Sequence, residues 1–333
     1  MSATYRPRLV NGRFGDPALF VEIAHERDAT LFDMGDLSAL SARDLLRVRT
    51  IGVSHMHIDH LIGFDLLLRI HVGRDAAITM VGPEGFADRI GHKLQGYSWD
   101  LVDRYATELV FKVAELVSAE TLQCWRFRQS RRFVPEALGE RAAPGGVVHD
   151  DGRRTITARI LEHHGPCLGF ALEEGHRINL WRNRVEEAGL HVGPWLKRLK
   201  DAVCDSAADD TLIALPDGSP APLGSLRHFV TSERGMKIGY ATDLRDTPAN
   251  RRALADLCAG ADILFIEASF AAADTGRADN RAHLTTTAAG EIARACAARR
   301  VEPFHFSPRY EHEEEARLAE VAAAFAGPGA SAS

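Results

Sequence analysis

No stretch of this 333-residue chain comes near the roughly 20 uninterrupted apolar residues that a membrane-spanning helix needs, and its opening MSATYRPRLV lacks the apolar core of a secretion signal. The expectation is a protein of the cytoplasm with no membrane partner. Cysteine is scarce. The five residues at 124, 167, 204, 258 and 296 are scattered and odd in number, which indicates neither a disulfide framework nor a paired-cysteine metal site. Positive charge is also short: 40 Lys and Arg against 46 Asp and Glu leave a formal charge of −6. This balance argues against indiscriminate polyanion binding, although a local basic patch could still meet a nucleic acid. Internal repeats are missing, and the Pro/Gly-bearing stretches at 135–146 and 215–224 are too short to be linkers. What is present, 45% apolar and 26% charged residues, suits a globular protein with a sizeable core.

Apolar alternation in Ala18 to Ile23 and in Ala29 to Asp33 predicts a β-hairpin, followed by a helix over about 39–47. Thr50-Ile51-Gly52-Val53-Ser54 reads as a short strand. Further strands near 76–81, 154–161, 167–172, 236–241, 261–266 and 300–306 alternate with helices near 61–71, 84–94, 248–258, 285–297 and 311–325. Such mixing implies an α/β protein whose sheets are covered by helices. Asp246-Thr247-Pro248 and, ahead of Ala288–Ala297, Thr285-Thr286-Thr287 are N-terminal helix signals. One domain over 1–326 is expected, with a loop-rich insertion at about 174–224 and a disordered tail at 327–333.

Chemistry concentrates where the strand at 50–54 ends, in His55-Met56-His57-Ile58-Asp59-His60. Residues two apart in an extended segment point the same way, so His55 and His57 can hold one cation, and the following turn presents Asp59 and His60 to a second. A histidine-rich surface loop is the bland alternative, and the flanking strand and Gly63 speak against it. More ligands are needed, and candidates stand at other strand ends: His163 or His164, Asp243 and His305. A carboxylate can bridge two cations, the role suited to Asp243. Two ions a few ångströms apart suit a phosphodiester best, with lactams, thioesters and other esters open at this point.

These residues resemble ribonuclease Z, the branch of the metallo-β-lactamase fold that processes tRNA 3′ ends. The likeness runs from about Ser54 to Tyr310 in six ordered motifs: Ser54 to His60, Leu161-Glu162-His163 with Gly169-Phe170, Tyr240 to Asp243, Glu267 to Phe270, His283-Leu284-Thr285, and His305 to Tyr310. The resemblance implies a four-layer αββα sandwich and two Zn²⁺ per chain, manganese or iron remaining open. One ion would take His55, His57 and His163, the other Asp59, His60 and His305, with Asp243 between them. It implies further that Asp59 accepts a proton from the attacking water and that His283, oriented by Glu267, protonates the leaving oxygen. The partner implied is precursor tRNA, trimmed of its 3′ trailer, and the assembly a homodimer. Gly193-Pro194 followed by Lys197, Arg198 and Lys200, with Arg182 and Arg184 upstream, resembles the tRNA-gripping region. An ordinary solvated helix face reads equally well there.

The chain departs from the family pattern in places. A Gly-Thr-Gly loop is absent near the N-terminus, Glu162 replaces aspartate, and Ile266 stands where a histidine usually precedes the glutamate. Loss of that histidine would remove a polar group near the leaving oxygen. A hydrolase of a small phosphodiester or ester metabolite is therefore the alternative expectation. A non-catalytic metal-binding module is disfavoured because every ligand position is filled.

Overall fold

A computed structural model describes residues 5–24, 26–175, 177–205 and 207–328. They form two compact units, one from the described parts of Met1–Asp151, Thr155–Leu172 and Met236–Ser333, the other from Gly152–Arg154 and Glu173–Gly235.

In the first unit, strands Tyr5–Leu9, Leu19–Ile23, Ala29–Phe32, Val48–Gly52, Ala76–Pro83, Leu109–Ser118, Thr121–Arg128 and Glu136–Ala142 make an eight-stranded sheet in chain order. A six-stranded sheet runs Val301–Phe304, Ile263–Glu267, Lys237–Ala241, Pro166–Glu174, Arg154–Glu162, Val147–Asp150. Strand alternation sorts their side chains between three cores. Leu19, Val21 and Phe32 of one sheet meet Leu168, Phe170, Tyr240, Ile263 and Phe265 of the other. The opposite face of the first sheet, with Phe20, Leu31 and Ile51, packs on helices Phe64–His71 and Phe86–Gln95 through Phe64, Leu67, Phe86 and Ile90. Leu264 and Ile266 of the second sheet pack on helices Pro248–Leu257, Thr286–Ala295 and Glu314–Ala326 through Leu254, Ile292 and Val321. The layers are thus helix, sheet, sheet, helix, as the resemblance implies. Each fully buried aromatic contributes about 1.5–3 kcal/mol. Gly52 is required where the sheets approach: a Cβ there would lie 2.9 Å from Phe32 and 3.1 Å from Phe170, whose rings sit 5.3 Å apart.

Local signals act as expected at two helices. Thr247 accepts from Asn250 N with Pro248 in the first turn, and Thr285 accepts from Ala288 N. The helix expected over 39–47 shrinks to Ala42–Leu45, started by a Ser41/Asp44 capping box and followed at once by strand Val48–Gly52. Strand Tyr5–Leu9 forms the edge of the first sheet.

The second unit holds helices Arg182–Glu187 and Trp195–Cys204 and two small antiparallel sheets. The excursion expected at about 174–224 extends further because Arg177–Leu180 pairs with Val230–Glu233. It has its own core of Val185, Trp195, Leu199, Leu223 and Phe229. Of the tail, residues 329–333 lie outside the described residues. Among the described residues no helix is long and apolar enough to cross a membrane.

Candidate active site

The ends of Val48–Gly52, Arg154–Glu162, Lys237–Ala241, Ile263–Glu267 and Val301–Phe304 bring to one place the residues that the sequence separates by up to 250 positions. Ligand atoms of His55, His57, His163 and Asp243 lie within 4.8 Å of one another, as do those of Asp59, His60 and His305, and those of Asp243, His283 and His305. Asp243 is at the centre. Its Oδ2 stands 3.5 Å from Nε2 of both His55 and His60 and 3.7 Å from Nε2 of His163, while Oδ1 is 2.9 Å from His305 Nδ1. Asp59 Oδ2 lies 3.5 Å from His60 Nε2 and 3.6 Å from His305 Nε2.

These distances suit a shared cation. Ligands at 2.0–2.1 Å in tetrahedral array are about 3.4 Å apart, longer than a hydrogen bond and close to the spacings here apart from the 2.9 Å contact of Asp243 with His305. The Nε2 atoms of His55 and His60 are buried with no hydrogen-bond partner, a costly state for polar nitrogens unless something else occupies their lone pairs. Burial and the facing His60 hold the His55 ring unprotonated, its pKa lowered to about 2. Burial disfavours charge on His60 too, yet Asp243 and Asp33 outweigh it and raise that pKa to about 10. For Asp59 burial raises the pKa, and the neighbouring imidazoles of His305 and His60 more than offset it, lowering it to about 2. The carboxylates therefore create a strong demand for positive charge at the centre, and the histidine and aspartate donor set fits a divalent cation.

Backbone geometry marks the same place. Asp33, Asp243 and His305, all at strand ends, take left-handed conformations with φ of 56°, 52° and 56°. Non-glycine residues adopt these at a cost that only surrounding contacts maintain.

Ring orientation depends on residues behind the ligands. His163 Nδ1 donates to the Ala282 carbonyl at 2.8 Å, turning Nε2 towards Asp243. His60 Nδ1 donates to Asp33 Oδ2 at 2.9 Å. Asp33 is the functional residue that sequence reasoning missed. Fully buried, it also accepts from Ser54 N (2.6 Å), Ser54 Oγ (2.8 Å) and Tyr240 Oη (2.8 Å), joining the histidine loop to the second sheet. Its signal was present: like Asp243, it is an aspartate directly after an apolar strand. Asp33→Asn removes the charge that fixes His60, so metal affinity is expected to fall about 10–100-fold, measurable by competition with a chelating dye. Unchanged affinity would mean that His60 needs no such partner.

His283 and Glu267 also meet. His283 Nδ1 lies 3.0 Å from Glu267 Oε2, and the buried carboxylate accepts from Leu244 N at 2.8 Å and Ser269 Oγ at 2.7 Å. Burial opposes charging of His283, and the Glu267 carboxylate outweighs it, raising the pKa above its ordinary value. Ile266 corrects one expectation. Alternation points it into the helix-side core beside Leu264, so substitution at 266 removes nothing from the face that Glu267 presents to the cluster. His164 is exposed and outside the three ligand groups. Gly193, Pro194, Lys197 and Arg198 belong to the second unit: Pro194 precedes helix Trp195–Cys204, and Lys197 and Arg198 lie exposed on it while Trp195, Leu196 and Leu199 are buried. Arg198 donates to the Ala214 carbonyl at 3.2 Å.

No family model matches the chain. Among solved structures, the metallo-β-lactamase fold protein YhfI from Bacillus subtilis superposes with a TM-score of 0.54 at 15% identity, over 96% of this chain and 92% of that one. Human tRNase Z, short form, gives 0.52 at 19% identity, over 92% and 93%. The fold is the metallo-β-lactamase fold. A curated protein, ribonuclease Z of Deinococcus radiodurans, is 30% identical over 315 residues, which are 89% of this chain and 88% of its own. The chain belongs to the ribonuclease Z family of hydrolases.

Proposed function

We propose that this protein is a binuclear metal-dependent endoribonuclease that removes the 3′ trailer of precursor tRNA. The observation that carries the proposal is the arrangement of two ligand sets around one shared carboxylate, Asp243, with the His283–Glu267 pair beside them. His55, His57 and His163 would hold one Zn²⁺ and Asp59, His60 and His305 the other, Asp243 serving both. When bound, such ions polarise a phosphoryl oxygen and lower the pKa of water towards neutrality. Asp59 takes the proton of the attacking water as the water oxygen bonds to phosphorus. The bond from phosphorus to the 3′ oxygen breaks, and His283 gives that oxygen its Nε2 proton, leaving an RNA 3′-hydroxyl and a 5′-phosphorylated trailer. Lys197 and Arg198 with Gly193-Pro194 would grip tRNA phosphates. The proposal includes a homodimer in the cytoplasm.

Glu267 sets the pH range of the donor. A raised His283 pKa keeps the donating imidazolium populated to higher pH, so Glu267→Gln, which removes the negative charge, should move the alkaline limb of the kcat/KM profile to lower pH. A limb that stays in place would assign it to another group. The function itself is tested by incubating zinc-loaded protein with a 3′-extended precursor tRNA. A cut after the discriminator base is expected. Intact tRNA alongside hydrolysis of bis(p-nitrophenyl) phosphate would replace the proposal with a small-diester hydrolase.

A further inference from the structure

Beside the cluster, and lined in part by Asp59, His283 and His305, is a cavity of about 260 Å³. That is below the roughly 300–1,000 Å³ of pockets enclosing drug-sized ligands and has room for a single nucleoside. Its other walls come from four separate parts of the chain. Phe14 and Asp16 belong to the turn between strands Tyr5–Leu9 and Leu19–Ile23, Arg281 ends helix Thr275–Arg281, and Phe270, Phe306 and Pro308 follow second-sheet strands. The turn is anchored over that sheet: Arg13 donates to Glu302 Oε2 at 2.7 Å and to the Pro303 carbonyl, and Phe306 N donates to the Arg13 carbonyl at 2.9 Å. Phe14 thereby packs on Phe306 with ring centroids 5.4 Å apart. Two polar groups in these walls, the Asp16 carboxylate and the Arg281 guanidinium, have no hydrogen-bond or ion-pair partner among the described residues. Aromatic walls, a carboxylate that can only accept and a planar cation are a set that matches base, base edge and phosphate.

We propose that this cavity binds the nucleoside that carries the leaving oxygen, its base against the half-buried Phe14 ring that Phe306 backs, its amino-bearing edge at Asp16 and its 5′ phosphate at Arg281. The assignment rests on the phosphodiesterase reading above, because it is His283, opening into the cavity, that places the leaving oxygen there. Asp16 makes the site selective. Adenine and cytosine offer an exocyclic amine to a carboxylate, whereas uracil has a carbonyl oxygen at the corresponding position and is repelled.

The test is equilibrium binding of AMP, CMP and UMP to the metal-loaded protein by calorimetry, with no turnover involved. AMP and CMP are expected to bind several-fold more tightly than UMP, and Asp16→Asn to bring the three within about twofold. Phe14→Ala should weaken all three by about tenfold, as loss of base stacking does. Arg281→Ala, an exposed position that does not threaten the fold, should weaken AMP and leave adenosine unchanged. Equal binding of AMP and UMP, or indifference to both Asp16→Asn and Arg281→Ala, would overturn the assignment. The two proposals fail separately: uncut precursor tRNA with selective AMP binding sinks only the processing function, and tRNA cleavage with indifferent variants sinks only the subsite.

Discussion

Asp243→Ala is expected to strip the protein of its metal and its activity together. The wild-type carboxylate is almost fully buried and faces the nitrogens of His55, His60, His163 and His305 within 3.7 Å. Without it, both ligand sets lose their shared anion and four imidazoles are left facing one another. The charge stabilisation that metal ions lend a phosphoryl transition state is worth several kcal/mol, so turnover should fall by at least about a thousandfold. Metal per chain, measured by elemental analysis, should fall by more than half. Alanine is strained at a φ of 52°, so Asp243→Asn is the companion: asparagine tolerates that conformation and keeps the shape while losing the charge. Full metal content with full activity in the asparagine variant would remove Asp243 from the ligand set.

His283→Ala should cost about 10²–10⁴ in kcat with metal content unchanged, the range for loss of a positioned acid. The loss should depend on the leaving group. An RNA 3′ oxygen leaves as a strong base and needs the proton, whereas a nitrophenolate departs readily without it. Cleavage of bis(p-nitrophenyl) phosphate should therefore suffer far less than cleavage of precursor tRNA. Equal losses on both substrates would show that His283 positions the substrate and does not protonate it.

Much of this was legible in the chain. Four donors in six residues after an apolar strand announce a metal loop, because a strand's end fixes the direction of side chains two apart. The single donors were harder. His163, Asp243 and His305 each carry only the weak signal of a polar residue at a strand end, and the ordered motif match made them specific. Asp33 carries the same signal and was passed over, because its partners, Ser54, His60 and Tyr240, are 21 to 207 residues away. Strand Glu136–Ala142 left no pattern to read, being exposed along its whole length.

By itself the sequence determined the α/β class and the loop of four donors, which follow from alternation and local geometry, and its ordered motifs carried the resemblance that implied the layers and the family. The tertiary structure alone decided what no motif carried: that Asp33 holds His60 and ties the histidine loop to Tyr240, that Ile266 turns into the helix-side core, and that a turn at Asn11 to Asp16 closes one side of the cavity. The physical reason is that side-chain direction repeats along a strand and is set locally, whereas the meeting of strand ends depends on how two sheets pack, through contacts that no stretch of sequence contains.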